Sequence, residues 1–231
     1  MKTIGLIGGM SWESSIEYYR MTNEMVKTRL GGLHSCKSLM VSVDFAEIEQ
    51  LQHRGDWDGL ARLMIAAAQS LERGGADFVV ICTNTMHKLA DRIQAQIGIP
   101  LLHIADATAR EIRQAGVTKV GLLGTRFTME EDFYRKRLEE QHGIAVIVPE
   151  PAERETIHRI IYTELVVGQI QSNSRNAFQA IISRLVAAGA AGIVLGCTEI
   201  PLLVKPGDVA VRLFDTTAIH ARAAVDLALE P

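Results

Sequence analysis

The chain has 231 residues, 48% of them hydrophobic, which is enough to bury the core of one large domain or two small lobes and excludes a disordered chain. Against 27 Asp and Glu stand 24 Lys and Arg, a net charge of −3 that gives no electrostatic footing for nucleic acid or a membrane surface, so the expected partner is a small molecule. No basic and apolar leader precedes the first strand candidate and no run of about 20 apolar residues follows, so the expected compartment is the cytoplasm.

In chain order, short β-branched runs at Thr3–Ile7, Leu39–Val43, Phe78–Ile81, Val120–Leu123, Ile144–Val148 and Ile193–Leu195 predict strands. Apolar residues at three- and four-residue spacing predict helices over Glu13–Arg29, Trp57–Arg73, Met129–Gln141 and Asn173–Ala188. Trp12 and Trp57 fit core or interface positions in these patterns. This alternation is the signature of an α/β fold with mainly parallel sheets covered by helices. Gly98-Ile99-Pro100 and Gly143 read as connections, and no Pro/Gly/Ser-rich linker separates halves, so a lobe boundary is tight and falls near Gly116.

The chain also repeats itself. Ile4-Gly5-Leu6-Ile7-Gly8-Gly9 returns 116 residues on as Val120-Gly121-Leu122-Leu123-Gly124-Thr125. Leu71-Glu72-Arg73-Gly74-Gly75-Ala76 returns 114 residues on as Leu185-Val186-Ala187-Ala188-Gly189-Ala190, each copy followed by a β-branched strand. Two ordered anchors at nearly one offset predict two similar three-layer α/β/α lobes: 1–115, with 213–231 packing back on it, and 116–212. Carried past the second strand of each copy, the 114 shift pairs Cys82 with Gly196, Thr83 with Cys197, Asn84 with Thr198 and Thr85 with Glu199. All lie beyond the carboxyl ends of parallel strands, where such sheets bind ligands. Lobes related by a pseudo-twofold axis would bring Thr83 and Cys197 to opposite sides of one ligand in the interlobe cleft.

Two acid/base groups flanking one carbon are what inversion of an amino acid at Cα requires: one removes the α-proton and the other delivers a proton to the opposite face. A thiol of ordinary pKa about 8.5 suits the task, more so beside a helix N-terminus or a cation, and helices are expected directly after Thr83 and Cys197. The three cysteines, Cys36, Cys82 and Cys197, share no CxxC or metal-ligand spacing and read as free thiols, Cys36 as packing. Gly5-Leu6-Ile7-Gly8-Gly9 lacks the GxGxxG spacing of a dinucleotide site.

With the opening Gly-Leu-Ile-Gly-Gly-Met-Ser, Thr83-Asn84-Thr85-Met86-His87, Gly124-Thr125-Arg126-Phe127-Thr128 and Gly196-Cys197-Thr198-Glu199, nearly the whole chain resembles the cofactor-independent aspartate/glutamate racemases. The resemblance implies a two-base racemase, often dimeric and here a homodimer, using neither pyridoxal phosphate nor metal, with the second-lobe cysteine acting on the L enantiomer. It further implies that Asn84, Thr85, Thr125, Thr128 and Thr198 hold the α-carboxylate, that Glu199 contacts or orients the ammonium group and that Gln52, rather than the obvious cation Arg54, lies near the substrate side chain; Met10, after the glycine turn, reads either as a wall of the site or as a core methionine. The position that carries a lysine in some aspartate racemases falls near Val166, so a substrate range beyond aspartate and glutamate, including homoserine-like amino acids, is expected.

The chain departs from the family at its first cysteine. Thr83 stands in that place and Cys82 sits one residue early, where a strand side chain turns to the opposite face. An alcohol near the pKa of water, 15.7, lies roughly 7 units above a thiol, so Thr83 is expected to relay or donate a proton rather than act as a free alkoxide. His87 has two readings, tuning that relay or supporting a helix start. Competing readings are a single-cysteine decarboxylase or isomerase using Cys197 alone, and a non-catalytic amino-acid-binding regulator.

Overall fold

A computed structural model of the chain describes residues 1–230. Its elements run β1 (Ile4–Gly8), α1 (Trp12–Leu30), β2 (Ser38–Ser42), α2 (Phe45–Arg54), α3 (Trp57–Arg73), β3 (Phe78–Ile81), a 3₁₀ turn at Thr85–Leu89, α4 (Ala90–Gln94), β4 (Leu101–Leu102) and α5 (Ile104–Gln114). They continue with β5 (Lys119–Gly124), α6 (Arg126–Glu130), α7 (Asp132–Lys136), a π turn at Arg137–Gln141, β6 (Ala145–Ile147), α8 (Pro151–Thr163), a 3₁₀ turn at Leu165–Val167, α9 (Ser172–Ala187), β7 (Gly192–Gly196), α10 (Ile200–Leu203), β8 (Arg212–Asp215) and α11 (Thr216–Leu229). The strands form two parallel four-stranded sheets of the same order, β2-β1-β3-β4 and β6-β5-β7-β8.

Met1–Ile104, with the chain from His220 onward, forms one compact unit and Ala105–Ile219 the other. The division thus falls ahead of Gly116, because α5 belongs from Ala105 onward to the second unit, where the Arg137 guanidinium donates to Asp106 at 2.7 Å and Tyr134 donates to Thr108 at 3.4 Å. The return to the first unit comes at His220 rather than at 213, because β8 is hydrogen-bonded to β7 in register Ile193↔Leu213. From there Ala221, Ala224, Val225 and Ala228 of α11 pack on Ile4, Leu6 and Phe78.

Strict alternation makes the first unit three-layered. Phe78, Val80 and Cys82 enter the core shared with α1 and α11, whereas Val79 and Ile81 enter the core shared with α3. In the second unit Leu123, Ile193 and Leu195 pack on Ile157, Ile161, Phe178 and Ile182 of α8 and α9. Gly5 and Gly121 let α3 and α9 approach their sheets: a Cβ on either would lie 3.3 Å from the Cβ of Leu71 or Leu185 respectively.

The internal repeat is visible bond by bond. After α3, Gly74 N–H donates to Ser70, Gly75 to Glu72 and Ala76 to Leu71; after α9, 114 residues on, Ala188 donates to Arg184, Gly189 to Val186 and Ala190 to Leu185. Gly75 and Gly189 sit at φ +90° and +96°, where a side chain would be strained. Gly5 pairs with Val79 as Gly121 pairs with Ile193.

The helix predicted over Met129–Gln141 is broken, since Glu131 adopts an extended conformation between α6 and α7. Trp12 is exposed, and Trp57 carries the Lys88 ammonium 3.5 Å above its ring.

Candidate active site

In the first unit, Met10 follows β1 and Thr83, Asn84 and Thr85 follow β3, so these four sit past the carboxyl ends of adjacent parallel strands, and Gln52 lies on α2, the helix that follows β2. Met10, Gln52, Asn84 and Thr85 are buried, whereas Thr83 keeps partial exposure and Arg54 is exposed. Cys82 is the contrast. It has no exposed surface, lies among Ile4, Leu6, Tyr18 and Val80, and burial pushes its thiol far above the usual range. Of the two neighbours, only Thr83 is reachable from outside that core.

In the second unit, Thr125 and Thr128 follow β5, and Cys197, Thr198 and Glu199 follow β7. Cys197 continues the phase of Ile193 and Leu195, packing toward Ile200 and Leu203 with 9% exposure. Its thiol donates to Glu199 Oε2 at 2.9 Å, and the Thr198 hydroxyl donates to the same oxygen at 2.6 Å. Thr128 is fully buried, with its Cβ where a Cβ on Gly124 would meet it at 3.0 Å, and its N–H donates to the Thr125 hydroxyl at 3.4 Å as Thr125 caps α6.

The electrostatics of Cys197 correct the expectation of a readily ionised thiol. Burial, then the Glu199 carboxylate beside it, hold its pKa well above the ordinary value, and only the backbone N–H groups of Glu199 and Thr198 oppose this. The helices expected after Thr83 and Cys197 are short: α10 has four residues, and a 3₁₀ turn follows Thr83, so helix dipoles contribute little. Cys197 at rest is a thiol with a proton acceptor already in contact.

Val166 is half-buried against the second-unit core, beside Glu164, whose carboxylate takes the Ser174 hydroxyl. Among the described residues no three His, Cys, Asp or Glu side chains are placed to hold a metal ion. Sequence reasoning missed Tyr18, His103 and His220, which join His87 in a buried cluster of the first unit. Its one sequence signal is that Tyr18 recurs 116 residues on as Tyr134.

A family model described as Asp/Glu/Hydantoin racemase matches residues 7–224. The chain belongs to the Asp/Glu/hydantoin racemase family. This racemase is 27% identical over 173 residues, 74% of its own chain and 73% of the other, to the broad specificity amino-acid racemase RacX of Bacillus subtilis. Among solved structures it is similar to a Yersinia pestis protein described as a candidate Asp/Glu racemase, with 60% identity and a TM-score of 0.95 over 100% of both chains. It is also similar to an aspartate racemase homologue from Pyrococcus horikoshii, with 38% identity and a TM-score of 0.88 over 100% of both chains. Membership makes the racemase an isomerase of the amino-acid type, and its two parallel-sheet lobes are the fold of that family.

Proposed function

We propose that the racemase inverts small amino acids at Cα by a two-base route, with Cys197 serving the L enantiomer and Thr83 the opposite face. The observation that carries this reading is register: Thr83 and Cys197 occupy the same position after equivalent strands β3 and β7, two residues past Ile81 and Leu195, while Cys82 is sealed in the core.

In the L-to-D direction Cys197 first loses its proton to solvent by way of Glu199, and the thiolate, present in greater proportion as pH rises, then takes the α-proton, which restores the thiol. The Thr83 hydroxyl delivers a proton to the other face of the carbanion as it accepts one from solvent, so one proton leaves to solvent at Cys197 and one enters at Thr83. Free alkoxide at Thr83 is not needed. Asn84, Thr85, Thr125, Thr128 and Thr198 are proposed to bind the α-carboxylate, with Thr128 acting through its bond to Thr125; Glu199 receives the ammonium group, whose positive charge would also ease ionisation of Cys197. Met10 walls the site.

The buried amide of Gln52 and the apolar Val166 support a range covering aspartate, glutamate and homoserine-like substrates, since an amide hydrogen-bonds to a carboxylate or a hydroxyl alike. A cytoplasmic homodimer working without pyridoxal phosphate or metal completes the proposal. Optical rotation of a panel of L-amino acids, incubated without added cofactor and with a chelator, tests it: decay toward the racemic mixture for acidic and hydroxy substrates is expected, and no decay for any substrate would overturn it. Decay confined to aspartate and glutamate would remove the broader range.

One observation favours a second reading. The high pKa of Cys197 leaves a thiol ready to donate a proton, which is what a single-cysteine decarboxylase of substituted malonates would use. Turnover of such malonates without α-proton exchange in amino acids would reverse the ranking.

A further inference from the structure

Resting on the two-base reading, we propose that His87 is a positioning residue for Thr83, a neutral imidazole in one tautomer that ties the Thr83 carbonyl to the backbone at the start of α5. Strand β3 ends at Ile81, so no sheet ladder holds the Thr83 peptide. His87, four residues on, does. Its Nδ1 lies 2.8 Å from the Thr83 carbonyl oxygen and its Nε2 lies 3.2 Å from the Ile104 nitrogen.

Those two partners dictate the proton. A carbonyl can only accept, so Nδ1 carries the hydrogen; a peptide N–H can only donate, so Nε2 is bare. A second proton on Nε2 would face the Ile104 N–H in a site with 2% exposure beside His103 and His220, with the Leu102 carbonyl a nearby backbone acceptor; burial, then those two imidazoles, hold the His87 pKa well below the ordinary value although the Thr83 and Leu102 carbonyls oppose this. The ring is braced from behind. His220 Nε2 donates to the Leu102 carbonyl at 2.9 Å, which leaves its Nδ1 to accept from the Tyr18 hydroxyl at 2.9 Å. Tyr18 meets His220 edge-on at 89°, and the His87 ring packs against His103 at 4.7 Å and His220 at 5.5 Å.

The second unit has no such device. The residue 114 positions after His87 is Pro201, and the pair equivalent to Tyr18 and His220 is Tyr134 and Thr108, joined hydroxyl to hydroxyl. The difference matches the chemistry. A thiol is reactive wherever it ionises, whereas a hydroxyl that must relay a proton depends on alignment, and a misplacement of about 1 Å can cost on the order of 100-fold in rate.

Two conservative variants separate the ring's two bonds. In His87→Asn the amide nitrogen can replace Nδ1 as donor to Thr83; in His87→Gln the amide oxygen can replace Nε2 as acceptor for Ile104, and the donor is lost. Each full-length variant is given L-substrate in D₂O, and the ratio of α-deuterium in recovered L-substrate to D-product formed is measured together with kcat and KM. His87→Asn is expected to keep the wild-type ratio. His87→Gln is expected to raise it about tenfold, with kcat for L-to-D falling about tenfold and KM moving less than about threefold, because Cys197 continues to exchange a proton that Thr83 no longer completes. Should His87→Gln fail to fold, Tyr18→Phe removes the brace behind His220 and is expected to raise the ratio by about threefold. Parallel loss of activity in the His87 variants at an unchanged ratio, or an unchanged ratio in Tyr18→Phe, would overturn the positioning role and leave the two-base reading intact. Wild-type ratio and rate in Thr83→Ala would instead remove the two-base reading and this inference with it.

Discussion

The ends of β3 and β7 grow from equivalent scaffolding and finish in opposite chemistry. The turns that lead into the two strands share three backbone hydrogen bonds across a 114-residue offset. Beyond them, Thr83 is anchored through its carbonyl by a neutral imidazole, and Cys197 is held through its thiol by a carboxylate. A duplicated fold therefore fixes where two groups stand without fixing what they are. On the proposed two-base reading, one end is a weak acid that must be placed and the other a reactive group whose ionisation must be controlled.

The largest expected effect tests the anionic end. Cys197→Ser should lower L-to-D turnover by roughly 10²–10⁴-fold, measured by chiral chromatography, and near-wild-type turnover would end the proposed asymmetry between the two positions. Next comes pH. A thiol whose pKa is raised in the folded protein stays protonated to higher pH, so kcat/KM for the L enantiomer should climb with pH across neutrality, by about tenfold per unit below that pKa. Because K is one for racemisation, kcat/KM for the D enantiomer must climb with it. Glu199→Gln removes the charge that raises the pKa, and the limb should move to lower pH while the maximum falls; a flat wild-type profile would contradict the thiol assignment.

Smaller effects sharpen the comparison of scaffolds. Gly5→Ala should cost about 1–3 kcal/mol in urea unfolding, since its Cβ would meet Ala76 Cβ at 2.9 Å and the Phe78 carbonyl at 3.0 Å. Gly121→Ala should cost less, because the atoms in its way, Ile193 Cδ1 at 2.7 Å and Leu185 Cδ1 at 2.9 Å, are movable ends of side chains. The smallest belongs to Cys82→Ala, expected to cost about 1 kcal/mol of stability and leave kcat within about twofold of wild type. A collapse of activity there would place the first-lobe base at Cys82.

The repeated strands were legible because Gly5 and Gly121 mark the same close approach of a helix, and Gly75 and Gly189 the same left-handed turn. Strand β4 escaped notice because two leucines after a proline carry no periodicity, and β8 because Arg212 breaks its apolar run. A helix that follows a strand reads alike whichever unit it packs on, so the boundary positions of α5 and α11 could not be read from pattern. The Cys197 pKa was misjudged for a related reason: the sequence displays Glu199 two residues away, and only the fold reveals that its carboxylate accepts from the thiol. Tyr18, His87, His103 and His220 lie too far apart in sequence to announce one cluster.

Loss of the α-proton in D₂O, followed by mass spectrometry and chiral separation for wild type, Thr83→Ala and Cys197→Ser, tests the unequal pair most directly. Starting from the L enantiomer, Thr83→Ala should still gain deuterium at Cα while forming little D-product, and Cys197→Ser should do neither. Equal loss of exchange in both variants from the L side would contradict the assignment of Cys197 and Thr83 to opposite faces.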